Sequence, residues 1–263
     1  MTRAPELVDE GWDNVTFRVG TEHAIRLPRR HAAVQLLENE QRWLPVLQSW
    51  IQLDVPTPVF RGQASDLFGW PWSVVTWVPG RTVEGRPLDG ASARTLAAAL
   101  RSLHRSAPVD APTNPFRGIP LLERREVVEP RLARHGLGQL AETWARAIAS
   151  PASPDRVWLH GDLHPRNVVC HEGGLRGIID WGDLCAGDPA TDLACAWTLF
   201  EAPERKVLLG TYGASNEERV RAAGWAVNFA SGLVASAEPR HVPMGWDIVR
   251  RLSEPRSEAT DHD

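Results

Sequence analysis

Asp162, Asn167 and Asp180 are the residues of this chain whose types and spacing suggest chemistry. Asp162 lies in Val157-Trp-Leu-His160-Gly161-Asp162-Leu163-His164-Pro165-Arg166-Asn167, five residues before Asn167. Asp180 closes the apolar pair Ile178-Ile179, thirteen residues after Asn167. Phosphoryl transfer uses such a set: one carboxylate to accept or orient an acceptor hydroxyl, and oxygen ligands to hold magnesium against nucleotide phosphates. Asp162 suits the first role. Asn167 and Asp180 suit the second, because magnesium takes hard oxygen ligands and keeps water besides.

The residues between them supply the positioning. Asn167 to His171 reads as a strand, Glu172-Gly173-Gly174 as a turn, and Leu175 to Ile179 as the returning strand. A hairpin of that length brings Asp180 back beside Asn167. A rival chemistry is metal-dependent hydrolysis. His160, Asp162 and His164 alternate, so on a strand they would share one face, and imidazole with carboxylate binds zinc. Pro165 interrupts such a strand, and no further histidine cluster follows.

His160-Gly-Asp-Leu-His-Pro-Arg-Asn167, with Asp180-Trp-Gly182 downstream and Gly187-Asp-Pro-Ala-Thr-Asp192 after it, resembles the aminoglycoside phosphotransferase family. That family is similar to the protein kinases, whose catalytic loop reads H-R-D-x-x-x-x-N with D-F-G downstream. The His-Gly-Asp form favours the small-molecule branch. The resemblance implies an α+β fold of two lobes like the protein kinases: a small β-rich N-lobe with one helix over residues 1–79, binding nucleotide, and a larger, mostly helical catalytic and substrate-binding C-lobe over residues 80–263. It implies ATP or GTP as co-substrate, Mg2+ as cofactor, and a hydroxyl of a small molecule as acceptor. An antibiotic such as an aminoglycoside is the suggested acceptor, with a macrolide or another metabolite as the alternative. It makes His160 structural, leaves His164 without a role, and sets Asp192 below the catalytic loop as a brace. A nucleotide-binding scaffold without turnover is the contrasting reading; intact Asp162, Asn167 and Asp180 argue against it.

Elements upstream fit the same frame. Val15, Phe17 and Val19 alternate, Gly20-Thr-Glu22 turns the chain, and Ala24-Ile25-Arg26-Leu27 forms the partner strand. The resemblance puts Gly11 to Asn14 in a turn covering the phosphates, although G-x-G-x-x-G is missing and only ten residues precede Gly11. Residues 31–48 read as a helix with a broad apolar face, despite Pro45. A kinase strand cation pairs with a helix glutamate and the phosphates. Arg26 and Glu40 occupy those positions, and the chain's one lysine, Lys206, comes far too late to serve. Residues 72–77 read as a strand, and Thr76 to Gly80 as the hinge. Backbone groups at Trp77 and Val78 are the expected purine contacts, with core packing the plainer reading of Trp77.

Downstream, residues 91–105 read as a helix on which His104 packs. Residues 108–120 read as a proline-rich loop. Residues 121–149 show helical patterns broken at Pro130 and Gly136. Asp188-Pro189 reads as a helix start, Asp183 as a residue near Asp180 that either reaches the metal region or serves a turn, and 222–235 as a buried helix. The polar stretch after Arg251 is expected to fray.

Composition narrows the class. The chain has 263 residues, enough for one large domain or two lobes. A net charge of −4 without a basic run disfavours nucleic acid. Cys170, Cys185 and Cys195 lack metal-type spacing and fit a reduced, cytoplasmic setting. Residues 1–10 carry no apolar signal core, and no stretch reads as a membrane span. A polycationic acceptor calls for acidic walls. Residues 110–155 are balanced at six acids and six bases, whereas 183–263 carry thirteen acids against eight bases.

Overall fold

Five strands pair antiparallel in the order β1-β2-β3-β5-β4: β1 (Glu6–Glu10), β2 (Asn14–Val19), β3 (His23–Pro28), β4 (Pro58–Gly62) and β5 (Trp72–Thr76). The computed structural model describes residues 4–254; the frayed end expected at 255–263 lies outside them. Alternation along β3 turns Ala24, Arg26 and Pro28 inward. Helix α1 (His31–Leu47) covers that face, burying Ala33, Leu37, Glu40, Gln41, Leu44 and Leu47. Pro45 sits in its last turn without ending it. Strand β1 is absent from the sequence reading. Its residues are largely exposed, so no inward–outward alternation marks it.

The segment after α1 ties the sheet to the rest of the molecule. The Asp54 amide donates to Arg176 O at 3.0 Å, and the Ile178 amide donates to Asp54 O at 3.0 Å. Gly177 allows this approach, since a Cβ there would lie 2.6 Å from Asp54 O. Beyond residues 77–80 the chain is mainly helical. Short β6 (Arg81–Thr82) joins β8 (Val168–His171) and β9 (Gly174–Ile178) in a three-stranded sheet; β7 (Val157–Leu159) pairs with β10 (Cys185–Gly187).

The helices are α2 (Gly90–Leu103), α3 (Arg125–Arg134), α4 (Ala141–Ala149), α5 (Ala190–Leu193), α6 (Cys195–Thr198), α7 (Ala202–Tyr212), α8 (Asn216–Val234) and α9 (Val242–Ser253). Asp89 caps α2 by accepting from the Ser92 amide. Ser215 and Glu218 form a capping box on α8. Pro130 does not break its helix, contrary to the sequence reading. It lies inside α3, where it removes one backbone donor; Gly136, at φ 68°, lies just beyond the helix end. At Asp188-Pro189 the first helical residue is Ala190, and its amide donates to the Asp188 carboxylate at 3.0 Å.

One large apolar core runs from α1 to α9, with Trp158, Trp181 and Trp225 among its fully buried side chains. Helix α8 passes through it, and Gly224 lets it close on α4, since a Cβ there would meet the Ala147 Cβ at 2.3 Å. Among the described residues, no helix is long and apolar enough to cross a membrane.

Buried Arg221 of α8 pairs with buried Asp188 at 2.7 Å and donates to Pro151 O at 3.1 Å. Removing one partner of a buried ion pair leaves an uncompensated charge, at about 3–5 kcal/mol. Arg221→Ala should lower unfolding free energy by about that much in urea titration. A change within experimental scatter would show that this pair does not fasten α8 to the β10–α5 connection.

Candidate active site

Strand β7 delivers the loop 160–167 into the cleft, and one carboxylate sets the loop's path. Fully buried Asp192 of α5 accepts the His160 and Gly161 amides, both at 2.8 Å. Gly161 has φ 87°, and a Cβ there would lie 2.6 Å from Asp183 O, so glycine is required. Asp192 also meets His104 Nε2 at 3.2 Å, and His104 Nδ1 meets the Tyr212 hydroxyl at 2.8 Å. Burial pushes the Asp192 carboxyl up, but the His104 hydrogen bond and neighbouring histidines outweigh it and hold it below the usual range. The Thr198 hydroxyl adds a bond to Leu163 O at 2.7 Å.

The His160 ring is a structural piece of the loop. Its Nδ1 accepts from the Asp162 amide at 3.2 Å, so Nε2 carries the proton donated to Ile179 O at 3.1 Å. The ring packs edge-on against Trp181 at 4.7 Å between centroids. With both nitrogens engaged, and with β7 ending at Leu159, the zinc face of His160, Asp162 and His164 is not formed. Among the described residues, no three His, Cys, Asp or Glu side chains converge as a metal-ligand set.

Asp162 projects into the cleft. Its carboxylate receives Arg117 Nη2 at 3.0 Å and lies 3.3 Å from His164 Nε2. Burial opposes its ionisation, yet the His164 imidazole and the Arg117 guanidinium win and hold the carboxyl far below the ordinary range. Asn167 Nδ2 donates to Asp162 O at 2.9 Å, which leaves its Oδ1 as the free coordinating atom. Pairing of Val168 with Ile178, and the Ile179 amide on Asn167 O at 2.9 Å, bring Asp180 beside Asn167. Positive φ at Glu172 (50°) and Gly173 (83°) makes the tight turn. Asp180 has φ 60° and a half-exposed side chain.

Arg26 joins the sheet to this hairpin. Its Nη1 holds both Glu40 oxygens at 2.7 and 2.5 Å, while Nη2 reaches Asp180 Oδ1 at 2.9 Å. Burial works against the Arg26 charge, but Glu40 and Asp180 more than restore it and raise its pKa. Burial raises the Glu40 carboxyl, against the pull of Arg26. Trp77 and Val78 lie apart from this cluster, on the connection after β5. The Trp77 amide donates to Glu22 O at 2.7 Å, and Arg18 stacks on its ring at 4.9 Å. The Val78 side chain is buried.

The turn after β1 brings Trp12 and Asp13 to the wall of the cavity beside Asp162. Asp9 pairs with Arg166 at 3.1 Å and Arg240 at 3.4 Å, tying the first hairpin to the catalytic loop. Beside Asp162 opens a cavity of about 660 Å³ whose walls include Asp183, Arg117, Phe116 and Phe229. Two of its polar residues, Arg117 and Asn114, carry no role in the sequence reading. Arg117 bridges Asp162 and Asp183, the latter at 3.6 Å. Asn114 donates to Asp183 at 2.7 Å. Asp183, read as a turn residue or one reaching the metal region, is a wall of the cavity. No motif or period marks Arg117 and Asn114 in their proline-rich loop; only the fold brings them to Asp162.

A model of the phosphotransferase enzyme family matches residues 6–227. An uncharacterised protein of Bacillus subtilis (strain 168), YcbJ, is 25% identical over 88% of this chain and 83% of its own length. An aminoglycoside 3'-phosphotransferase of Salmonella typhimurium is 30% identical over 56% of this chain, and that match spans only 60% of its length. A viomycin phosphotransferase of Streptomyces vinaceus is 28% identical over 80% of this chain and 75% of its own. Among solved structures, the GDP complex of wild-type aminoglycoside 2'-phosphotransferase-IIIa superposes at a TM-score of 0.71 and 19% identity, covering 96% of this chain and 93% of that one. The two-lobed, protein-kinase-like α+β fold is thereby shown.

The depressed pKa of Asp192 has a stability consequence. Its stabilising contribution is present above its unfolded pKa and is lost as pH falls through the lower folded value. Asp192→Asn should be less stable near neutrality, since an amide cannot accept three donors, and should lose less stability on acidification. Urea titrations at neutral and acidic pH check this. An equal loss in both proteins would separate Asp192 from the acid sensitivity.

Proposed function

This chain belongs to the phosphotransferase enzyme family, and from that premise we propose that it moves the γ-phosphoryl group of ATP or GTP to a hydroxyl of a small molecule, with magnesium. The observation carrying the reading is the convergence of Asp162, Asn167, Asp180 and the Arg26–Glu40 pair on one cleft. Residues 1–79 serve as the nucleotide-binding lobe and 80–263 as the catalytic and acceptor lobe. The Trp77 carbonyl and Val78 amide face the purine edge; the Trp77 amide is already engaged by Glu22.

Asp162 takes the acceptor hydroxyl as a hydrogen bond. The acceptor oxygen then bonds to the γ-phosphorus, the bond from phosphorus to the bridging oxygen breaks, and the nucleoside diphosphate leaves. The hydroxyl proton passes to Asp162 and on to solvent. Held ionised by Arg117 and His164, this carboxylate is a weak base, which suits a loose transition state in which orientation matters more than early proton removal. Arg26 supplies a fixed positive charge for the phosphates, and Glu40 sets its direction. The donors at hand fit magnesium: Asn167 Oδ1 and the Asp180 carboxylate are hard oxygens on adjoining strand ends. Bound there, magnesium would offset charge on the transferring phosphates. An acceptor of the antibiotic class rests on the names of relatives; its hydroxyl chemistry rests on Asp162.

Asp162→Asn should cut turnover at least ~10²-fold, within the usual range for a positioned base, while nucleotide affinity holds. Near-parental turnover would remove Asp162 from the mechanism. Calorimetry with magnesium or with chelator should find magnesium-dependent nucleotide binding abolished by Asp180→Ala and weakened by Asn167→Ala; parental binding in Asp180→Ala would reassign the metal.

Arg26→Ala should lower kcat/KM for nucleotide about 10- to 100-fold, the scale of a charged hydrogen bond. Glu40→Ala should cost less, and the two losses should not add, because the residues act as a pair. Strict additivity in the double variant is the result that would separate them.

A further inference from the structure

The charges on the cavity beside Asp162 do not cancel. Its carboxylates are Asp13, Asp162 and Asp183. Each is already engaged: Asp13 by Arg30 at 2.6 Å, Asp162 by Arg117 at 3.0 Å, Asp183 by Arg117 at 3.6 Å. Two further arginines of the wall, Arg124 and Arg131, have no carboxylate partner among the described residues. Both are partly buried. Arg124 makes one long bond, Nε to Asn228 Oδ1 at 3.4 Å, and lies 5.5 Å from the Phe116 ring. Arg131, about two turns along, faces α8 at Gly232, where a Cβ would lie 3.5 Å from its Nη1. Burial, then repulsion from Arg117 and Arg131, pulls the Arg124 pKa down; burial does the same to Arg131. The fold thus gathers unpaired guanidinium charge where an acceptor would lie.

Guanidinium charge that is partly shielded from water and has no carboxylate beside it favours an anionic ligand. We propose that the acceptor carries an anionic group, a carboxylate or a phosphate, bound by Arg124 and Arg131 while its hydroxyl meets Asp162; this rests on the phosphotransferase reading above. Arginine forks suit either oxyanion. Phe116 and Phe229 offer apolar surface to the rest of the molecule. Four arginines face three acids, with Arg117 shared by Asp162 and Asp183, so the arginines remain in excess; a polycationic aminoglycoside would set its ammonium groups beside Arg124 and Arg131, which no carboxylate neutralises. The transfer step is unchanged: the hydroxyl oxygen gains the phosphoryl group, its proton leaves through Asp162, and the anionic group stays intact.

The test is calorimetric titration of the full chain, loaded with ADP and magnesium, by glucose, gluconate, glucose 6-phosphate and kanamycin. At least one of the two anions should bind about tenfold or more tighter than glucose and kanamycin, the scale of a charge-assisted bond. Comparing gluconate with glucose 6-phosphate separates carboxylate from phosphate. In Arg124→Gln/Arg131→Gln that advantage should fall to about twofold or less, with circular dichroism and melting as checks of folding; if the double variant does not fold, each single variant should lose part of it. Preference for kanamycin, equal binding of glucose and both anions, no measurable binding of either anion, or an advantage surviving substitution overturns the proposal. So does a variant that loses ADP affinity in place of anion affinity, since the arginines would then serve the nucleotide. A chain that binds no nucleotide at all fails the phosphotransferase reading instead, and the same titrations without ADP still decide the charge of the ligand.

Discussion

The Asp192 carboxylate is the contact on which the arrangement of the cleft depends. It is fully buried and sits beneath two successive backbone amides, His160 and Gly161. Those bonds fix the peptide immediately before Asp162, and with it the direction of that carboxylate. Burying an ionised group is costly unless it is fully hydrogen-bonded. Here the third donor comes from His104 at the end of α2, itself held by Tyr212 at the end of α7. A local loop conformation is therefore a product of helices more than fifty residues away on one side and 31 or more on the other. The cleft inherits the rigidity of the core because its floor is part of it.

Across the cleft the organising element is charge of the other sign. Arg26 faces inward only because β3 alternates, and Glu40 meets it only because α1 lies over that face. By also reaching Asp180, the guanidinium links sheet and hairpin. Asp9 makes a second link, to Arg166 and Arg240. These contacts span the two lobes, so the separation of the lobes and the electrostatics of the cleft are governed by the same few side chains.

Local order decided what could be read in the sequence. The neighbouring positions of Asn167 and Asp180 follow from a short hairpin with an obvious turn. The meeting of Arg26 and Glu40 was implied by the resemblance to kinases, in which a strand cation pairs with a helix glutamate. Strand β1 escaped because an exposed edge carries no apolar pattern. Pro130 misled because one missing backbone donor does not end a helix. Arg117, Asn114 and their pairing with Asp183 were beyond reach, since each acquires its partner through packing between distant segments. His104 reads correctly as a satisfied histidine; its partners, Asp192 and Tyr212, do not follow from spacing. The uneven charge of the cavity beside Asp162 was equally hidden. Residues 110–155 are balanced in total, and only the fold selects Arg117, Arg124 and Arg131 for one wall while leaving the acids of that segment elsewhere.

The arginine on β3 has a practical corollary. Nucleotide reagents that survey kinases by acylating an active-site amine need a lysine to react with, and a guanidinium charged at every accessible pH does not serve. The one lysine, Lys206, lies on α7 in the helical lobe. Profiling built on amine acylation would therefore find no lysine to label in the cleft where Arg26 sits. An inventory of kinases compiled by such chemistry would undercount enzymes built with arginine at this place.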